Sequence, residues 1–252
     1  MAALLAAASL HAQQAEPDGQ PPSVEKGYLA PPSELTEGQV KWMQGMLLDF
    51  PNLARYRDDN ARLAPHEKGR VVFYGDSITE GWGRVGGTGF FPGKRYVNRG
   101  ISGQTTAQML LRFRQDVIEL EPEAVVILAG TNDIAGNTGP ASLNMIEDNL
   151  RSMAELARAN GIGVVLASVL PASAYPWRVG YRPAAKIRAL NAWIKQYAHE
   201  NGFVYLDYYT AMANAEGGLD PELAADGVHP TVAGYARMAP LAQRAVDEVL
   251  GR

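Results

Sequence analysis

The sequence predicts an α/β protein, a flavodoxin-like three-layer α/β/α sandwich around a five-stranded parallel sheet. Short apolar runs alternate with longer segments that carry apolar residues at helical spacing. The runs are apolar throughout instead of alternating with polar residues, which suits strands buried on both faces. Most of them end at glycine or at a polar, turn-forming stretch, where such sheets place their ligands.

The elements follow in order. Thr36 to Phe50 reads as a helix stopped by Pro51, and Asn52 to Leu63 as a second, polar helix. Residues 36–64 thus form an N-terminal helical extension without visible chemistry, ahead of the main domain over 65–252. Val71–Tyr74 is a strand ending at Gly75, and Tyr96-Val97 a shorter one. Leu110, Phe113, Val117 and Leu120 share one helical face over 105–120. Ala124–Ala129 is a strand ending at Gly130. Leu143, Ile146, Leu150, Met153 and Ala157 mark a helix closed by Gly161. Residues 162–169 form a strand broken by Pro171. Ile187, Leu190, Ile194 and Tyr197 mark a helix that stops at Gly202. Phe203–Leu206 is the last strand, and Val232–Leu250 the last helix.

Ahead of these, Met1 to Leu10 is a short apolar run, followed by the small Ala12 and then Gln13 and Gln14. Residues 1–12 read as a signal peptide that lacks the usual basic start, and imply a periplasmic or secreted protein. The run is too short to span a bilayer, and no later segment is a transmembrane candidate. Residues 13–35 carry Pro17, Pro21, Pro22, Pro31 and Pro32 and read as an extended linker.

Composition removes whole classes of function. The 252 residues contain 46% hydrophobic and 20% charged side chains, enough to bury a sizeable core. Net charge is −4, so there is no basic footprint for nucleic acid. The absence of cysteine excludes disulfides, thiolate metal sites and a cysteine nucleophile. The four histidines are scattered, which argues against a multi-histidine metal site.

Chemistry is expected just beyond the strand ends. Ser77 follows the first strand in Gly75-Asp76-Ser77-Ile78-Thr79, at a strand-to-helix turn that exposes its hydroxyl; a serine there also serves as a helix N-cap. The second strand leads into Asn98-Arg99-Gly100-Ile101-Ser102-Gly103-Gln104-Thr105, whose glycines let backbone N–H groups approach a ligand, or form a plain loop. Gly130-Thr131-Asn132-Asp133 offers a side-chain amide donor at Asn132, or a turn. In Asp226-Gly227-Val228-His229-Pro230 the spacing lets a carboxylate fold back onto an imidazole, or makes an ordinary polar turn.

Each of these is ambiguous alone; in combination, in order across residues 70–235, they closely resemble the four blocks of the SGNH hydrolases, the GDSL esterase/lipase family. The resemblance implies that Ser77 is the nucleophile, that Asp226 and His229 are its partners, and that Gly103 and Asn132 donate to an oxyanion. It also covers Asp76 and Asp133, read as structural supports. The chemistry is self-consistent. A serine hydroxyl needs an adjacent base, imidazole suits that role near neutral pH, and a carboxylate holds the ring tautomer. No metal or cofactor is required.

Other patterns are set aside. Gly81-Trp82-Gly83-Arg84-Val85-Gly86 has dinucleotide-site spacing but lacks the strand–helix context and the acidic residue that would follow. There is no G-x-S-x-G elbow, H-E-x-x-H or P-loop. His66 and His199 read as surface residues in polar helices. Residues 171–183 form a long loop whose Tyr175, Trp177 and Tyr181, with Trp82 near the nucleophile, either line a substrate pocket or pack on the scaffold. With no long apolar lid, short acyl esters of carbohydrates or small alcohols are the expected substrates. A lysophospholipase, thioesterase or acyltransferase on the same residues, and a catalytically silent carbohydrate-binding module, are the rival readings.

Overall fold

The computed structural model describes residues 36–251; the readings made above for residues 1–12 and 13–35 lie outside them. Five parallel strands, β1 (Val71–Gly75), β2 (Tyr96–Gly100), β3 (Ala124–Leu128), β4 (Gly163–Ala167) and β5 (Val204–Leu206), form one sheet in the order β2-β1-β3-β4-β5. This is the doubly wound order expected from the sequence. The order reverses at β1, and there a crevice opens beyond the strand ends.

Strand residues point alternately into two apolar layers. Val72, Tyr74, Val125, Ile127, Val164 and Leu166 enter the layer covered by α4 (Thr106–Asp116), α6 (Leu143–Ala159) and α7 (Ala184–Asn201). Val71, Phe73, Val126, Leu128, Val165 and Ala167 enter the opposite layer, under α9 (Val232–Val249). Both faces are dry, which is why the runs show no polar alternation. Each fully buried aliphatic or aromatic side chain contributes about 1.5–3 kcal/mol.

The helical extension is shorter than the sequence suggests. Helix α1 covers Glu37–Leu48, but α2 covers only Arg57–Ala61. Between them the Asp49 carboxylate accepts the Leu53 and Ala54 N–H groups at 2.8 and 3.0 Å, and Asn52 adopts φ 57°. That capped turn replaces the first part of the helix expected over 52–63. The helix expected over 105–120 divides into α4 and a 3₁₀ turn, Ile118–Leu120, ended by Glu121 at φ 50° ahead of Pro122. Two five-residue helices had no periodic signal: α5 (Thr131–Ala135) and α8 (Tyr208–Met212). Too short to show a period, α5 is buried under the 171–183 loop, where Arg178 Nη1 donates to the Ala135 carbonyl at 2.7 Å. His199 is exposed on α7, as expected, but His66 sits in a turn at φ 48°, its Nδ1 2.7 Å from Glu121. Among the described residues no helix is long and apolar enough to cross a membrane.

Candidate active site

Strand β1 delivers Ser77 to the crevice. Asp76 caps α3 (Ser77–Gly81) by accepting the Ile78 N–H at 3.0 Å, so Ser77 occupies the first helical position. The turn is tight because Gly75 and Gly100 pair across β1 and β2. A Cβ on Gly100 would lie 2.2 Å from the Glu80 amide nitrogen, so only glycine lets α3 rest on β2.

The loop before α9 brings His229, the residue expected to act as base. The Asp226 carboxylate accepts the Val228 and His229 N–H groups at 2.9 and 2.7 Å, closing a turn on itself. Its second oxygen lies 2.6 Å from His229 Nδ1. His229 Nε2 lies 2.9 Å from Ser77 Oγ. With the Nδ1 proton shared with Asp226, the Nε2 lone pair is free to accept the Ser77 O–H. The two partners are partly open to solvent, with side chains 40% and 43% exposed for His229 and Asp226.

Gly103 and Asn132 belong to a neighbouring wall. Gly103 has φ 77°, and among the described residues no acceptor takes its N–H. Asn132 is buried at the start of α5, its Nδ2 3.0 Å from the Gln104 carbonyl and 3.4 Å from Asp76 Oδ2. Asn137 Nδ2 donates to Asn132 Oδ1 at 2.8 Å, which fixes which end of the Asn132 amide faces the loop. Asp133 accepts the Thr106 N–H and hydroxyl, tying α5 to the start of α4. Neither Gly103 nor Asn132 lines the cleft of about 300 Å³ beside Ser77, whose walls include Glu80, Arg84, Ser102, His229 and Tyr235.

The carboxyls differ sharply. Burial pushes Asp76 up to about 6, against the Ile78 hydrogen bond and the nearby His229. Burial also raises Asp133 to about 6 despite its bonds to Thr106. For Asp226 the partial burial is outweighed by hydrogen bonds from the His229 ring and the His229 and Val228 amides, which hold it below the usual range. The arrangement is therefore an ionised Asp226 behind an imidazole and two supporting acids that keep their protons longer.

Some residues escaped the sequence reading. Glu80, three positions after Ser77 on the same helix, is a wall of the cleft, and its Oε2 accepts the Ser102 N–H at 2.8 Å. Its helical spacing from the serine was the available signal. Arg112 is wholly buried, with Nη2 on the Gly75 carbonyl at 3.1 Å and Nη1 on Asp116 at 3.1 Å. Nothing local announces a buried arginine. Trp82 does not line the site. It is buried in an aromatic cluster with Phe73, Phe91 and Tyr235, ring centroids 5.9, 5.0 and 5.2 Å away.

A model of the GDSL-like lipase/acylhydrolase family matches residues 73–237, a span containing all five candidate residues. The chain belongs to this family. Membership places it among carboxylic ester hydrolases. It is 34% identical over 149 residues to esterase TesA of Pseudomonas aeruginosa, a match covering 57% of this chain and 65% of that protein. It is 30% identical over 204 residues to an acetylxylan esterase of Geobacillus stearothermophilus, covering 68% of this chain and 90% of the relative. Among solved structures, a GDSL-like lipase from Bacteroides thetaiotaomicron superposes with a TM-score of 0.76 at 48% identity, over 79% of this chain and 98% of the other.

Proposed function

We propose that the protein is a serine esterase that hydrolyses short-chain carboxylic esters, in particular acetyl esters of carbohydrates or small alcohols, through Ser77, His229 and Asp226. The observation that carries this reading is the continuous hydrogen-bonded chain from Ser77 Oγ to His229 Nε2 at 2.9 Å and from His229 Nδ1 to Asp226 at 2.6 Å. In the proposed reaction Ser77 Oγ attacks the ester carbonyl while His229 takes its proton and Asp226 stabilises the imidazolium. The oxyanion receives the Ser77 and Gly103 N–H groups and the Asn132 side-chain amide. Of the two Asn132 Nδ2 hydrogens, one is held by the Gln104 carbonyl at 3.0 Å and the other makes a long 3.4 Å contact to Asp76, so that second N–H is available to turn to the oxyanion. Collapse breaks the ester C–O bond, and His229 returns the proton to the leaving alcohol. Water then attacks the acyl-enzyme with His229 again as base. These steps call for no metal or cofactor.

The leaving alcohol departs beside His229, and there the aromatic loop supports a carbohydrate. Trp177 is 45% exposed, with its ring centroid 6.1 Å from that of His229. Tyr175 stacks behind it at 5.1 Å, and Asn137 Oδ1 accepts its indole N–H at 3.1 Å. A flat, anchored apolar surface suits the C–H face of a sugar ring. The similarity to an acetylxylan esterase favours the same class. We further propose that residues 1–12 direct export to the periplasm or beyond and that 65–252 is the catalytic domain.

Acyl-series kinetics test the reading. With p-nitrophenyl esters from acetate to palmitate, kcat/KM should be highest at acetate or butyrate, and acetylated xylose or glucose should release acetate. Preference for long chains or for thioesters would favour the lysophospholipase or thioesterase reading. Transfer of acetyl to an added alcohol in excess of hydrolysis would favour an acyltransferase. Carbohydrate binding with no turnover would favour the binding module.

A further inference from the structure

The segment from Asp49 to Asn60 precedes the family match, which begins at Phe73, yet it touches the active-site loop repeatedly. We propose that this segment is a clasp that sets the aim of the Gly103 N–H, with Tyr56 and Arg55 as positioning residues for the reaction proposed above, on which the inference rests.

The loop from Gly100 to Thr105 is held at alternate residues. Tyr56, buried, donates its hydroxyl to the Gly100 carbonyl. Arg55 Nη2 reaches Glu80 Oε1 at 3.0 Å, and the other Glu80 oxygen accepts the Ser102 N–H at 2.8 Å and the Ser102 hydroxyl. The Pro51 carbonyl accepts Gln104 Nε2 at 2.7 Å. Residues 100, 102 and 104 are thus tied to 51–56, directly or through one carboxylate, and Gly103 lies between two anchored neighbours. Below the loop, the Phe50 carbonyl accepts Gln108 Nε2 at 2.7 Å and Asn60 Oδ1 accepts Arg99 Nε at 2.8 Å.

Tyr56 is itself fixed. The guanidinium groups of Arg55 and Arg99 lie 4.8 and 4.6 Å from its ring centroid. Burial raises its phenol above the ordinary value, against the Arg55 charge, so it remains a donor. Glu80 rides on the same short helix as Ser77, so the clasp couples the nucleophile's helix to the loop through one side chain. Oxyanion donors act only when held within about half an ångström of their productive position, and Gly103 has no side chain of its own with which to hold it there.

The test is steady-state kinetics of Tyr56→Phe, Arg55→Ala and the double variant on p-nitrophenyl acetate, with binding of phenylboronic acid, which forms an anionic tetrahedral adduct on an active serine. The double variant should lose about 10- to 100-fold in kcat with KM within twofold, and boronate affinity should fall by a similar factor. Arg55→Lys should recover part of the loss. Arg57→Ala, in the same segment but paired at the surface with Asp58, should match wild type. Unchanged kcat and boronate affinity in the double variant, even with a lowered Tm, would overturn the positioning role and leave the esterase reading standing. A wild-type protein that neither hydrolyses the ester nor binds boronate would instead overturn the proposed function beneath it.

Discussion

On one side of Ser77, Asp226 and His229 meet through a four-residue turn, closed by its own amides and partly open to solvent. On the other side, the Gly100–Thr105 loop and Asn132 are held by polar side chains drawn from stretches of chain far apart in sequence. Arg112 reaches the Gly75 and Arg99 carbonyls, Asp133 holds Thr106, and Asn137 orients Asn132. The proposed base is thus positioned locally and the proposed oxyanion wall cooperatively. Damage on the base side should be confined to chemistry, whereas damage on the oxyanion side should spread into stability, because breaking a buried network leaves unpaired polar groups.

The largest expected effect lies at the junction of the two sides. Ser77→Ala should lower kcat by a factor of about 10⁴ or more with Tm nearly unchanged, and His229→Ala should do the same. The double variant should be no worse than either, since the pair acts as one unit. Multiplicative losses would show that the 2.9 Å contact is not a working pair. Next comes Asn132→Ala, with kcat and kcat/KM down by similar factors of about 10²–10³ and KM little changed. A raised KM with constant kcat would make Asn132 a ground-state contact and remove it from the oxyanion wall. Asn132→Ala should also lower Tm more than Ser77→Ala does; equal Tm values would erase the proposed difference between the sides.

Trp177→Ala should cost about tenfold in kcat/KM on an acetylated sugar and under threefold on p-nitrophenyl acetate, since one lost aromatic contact is worth about 1 kcal/mol. Equal losses on both would assign the indole to scaffold packing.

The smallest effect is in stability against pH, where the two sides have opposite signs. Asp133 in the folded protein titrates near 6, above its ordinary value, so the folded state holds the proton more tightly and stability falls as pH rises between about 4 and 6. Asp226 is depressed, so its contribution is present above the ordinary carboxyl range and is lost as pH falls below it. Relative to wild type, Asp133→Asn should therefore gain Tm on going from pH 4 to 7, on the order of 5 °C, whereas the deficit of Asp226→Asn should hold steady over that range and shrink only as pH falls below about 4. A wild-type advantage over Asp133→Asn that grew with pH would mean that the Thr106 bonds outweigh burial.

Legibility in the sequence follows the same division. The strands, their order and the long helices were readable because buried runs and helical faces leave periodic marks. Asp226 and His229 were readable because their geometry is contained in their spacing. Ser77, Gly103 and Asn132 were readable as strand-end residues and as motif blocks. Arg112, Glu80, Asn137 and Tyr56 were not, because each makes a contact with a residue 22 to 44 positions away, across packing that no local pattern encodes. The five-residue helix bearing Asn132 looked like a turn, since it is too short to show a period and is stabilised by the loop above it. Trp82 sits near Ser77 in sequence but faces the aromatic cluster, and sequence distance alone gave no hint of that direction.

The most direct measurement is the site of covalent capture. Incubation with a fluorophosphonate followed by peptide mapping should give one adduct per chain, on Ser77, at a rate lowered by orders of magnitude in His229→Ala. Absence of an adduct, or an adduct on Ser102 or another hydroxyl with Ser77 untouched, would contradict the assignment of Ser77 as the nucleophile.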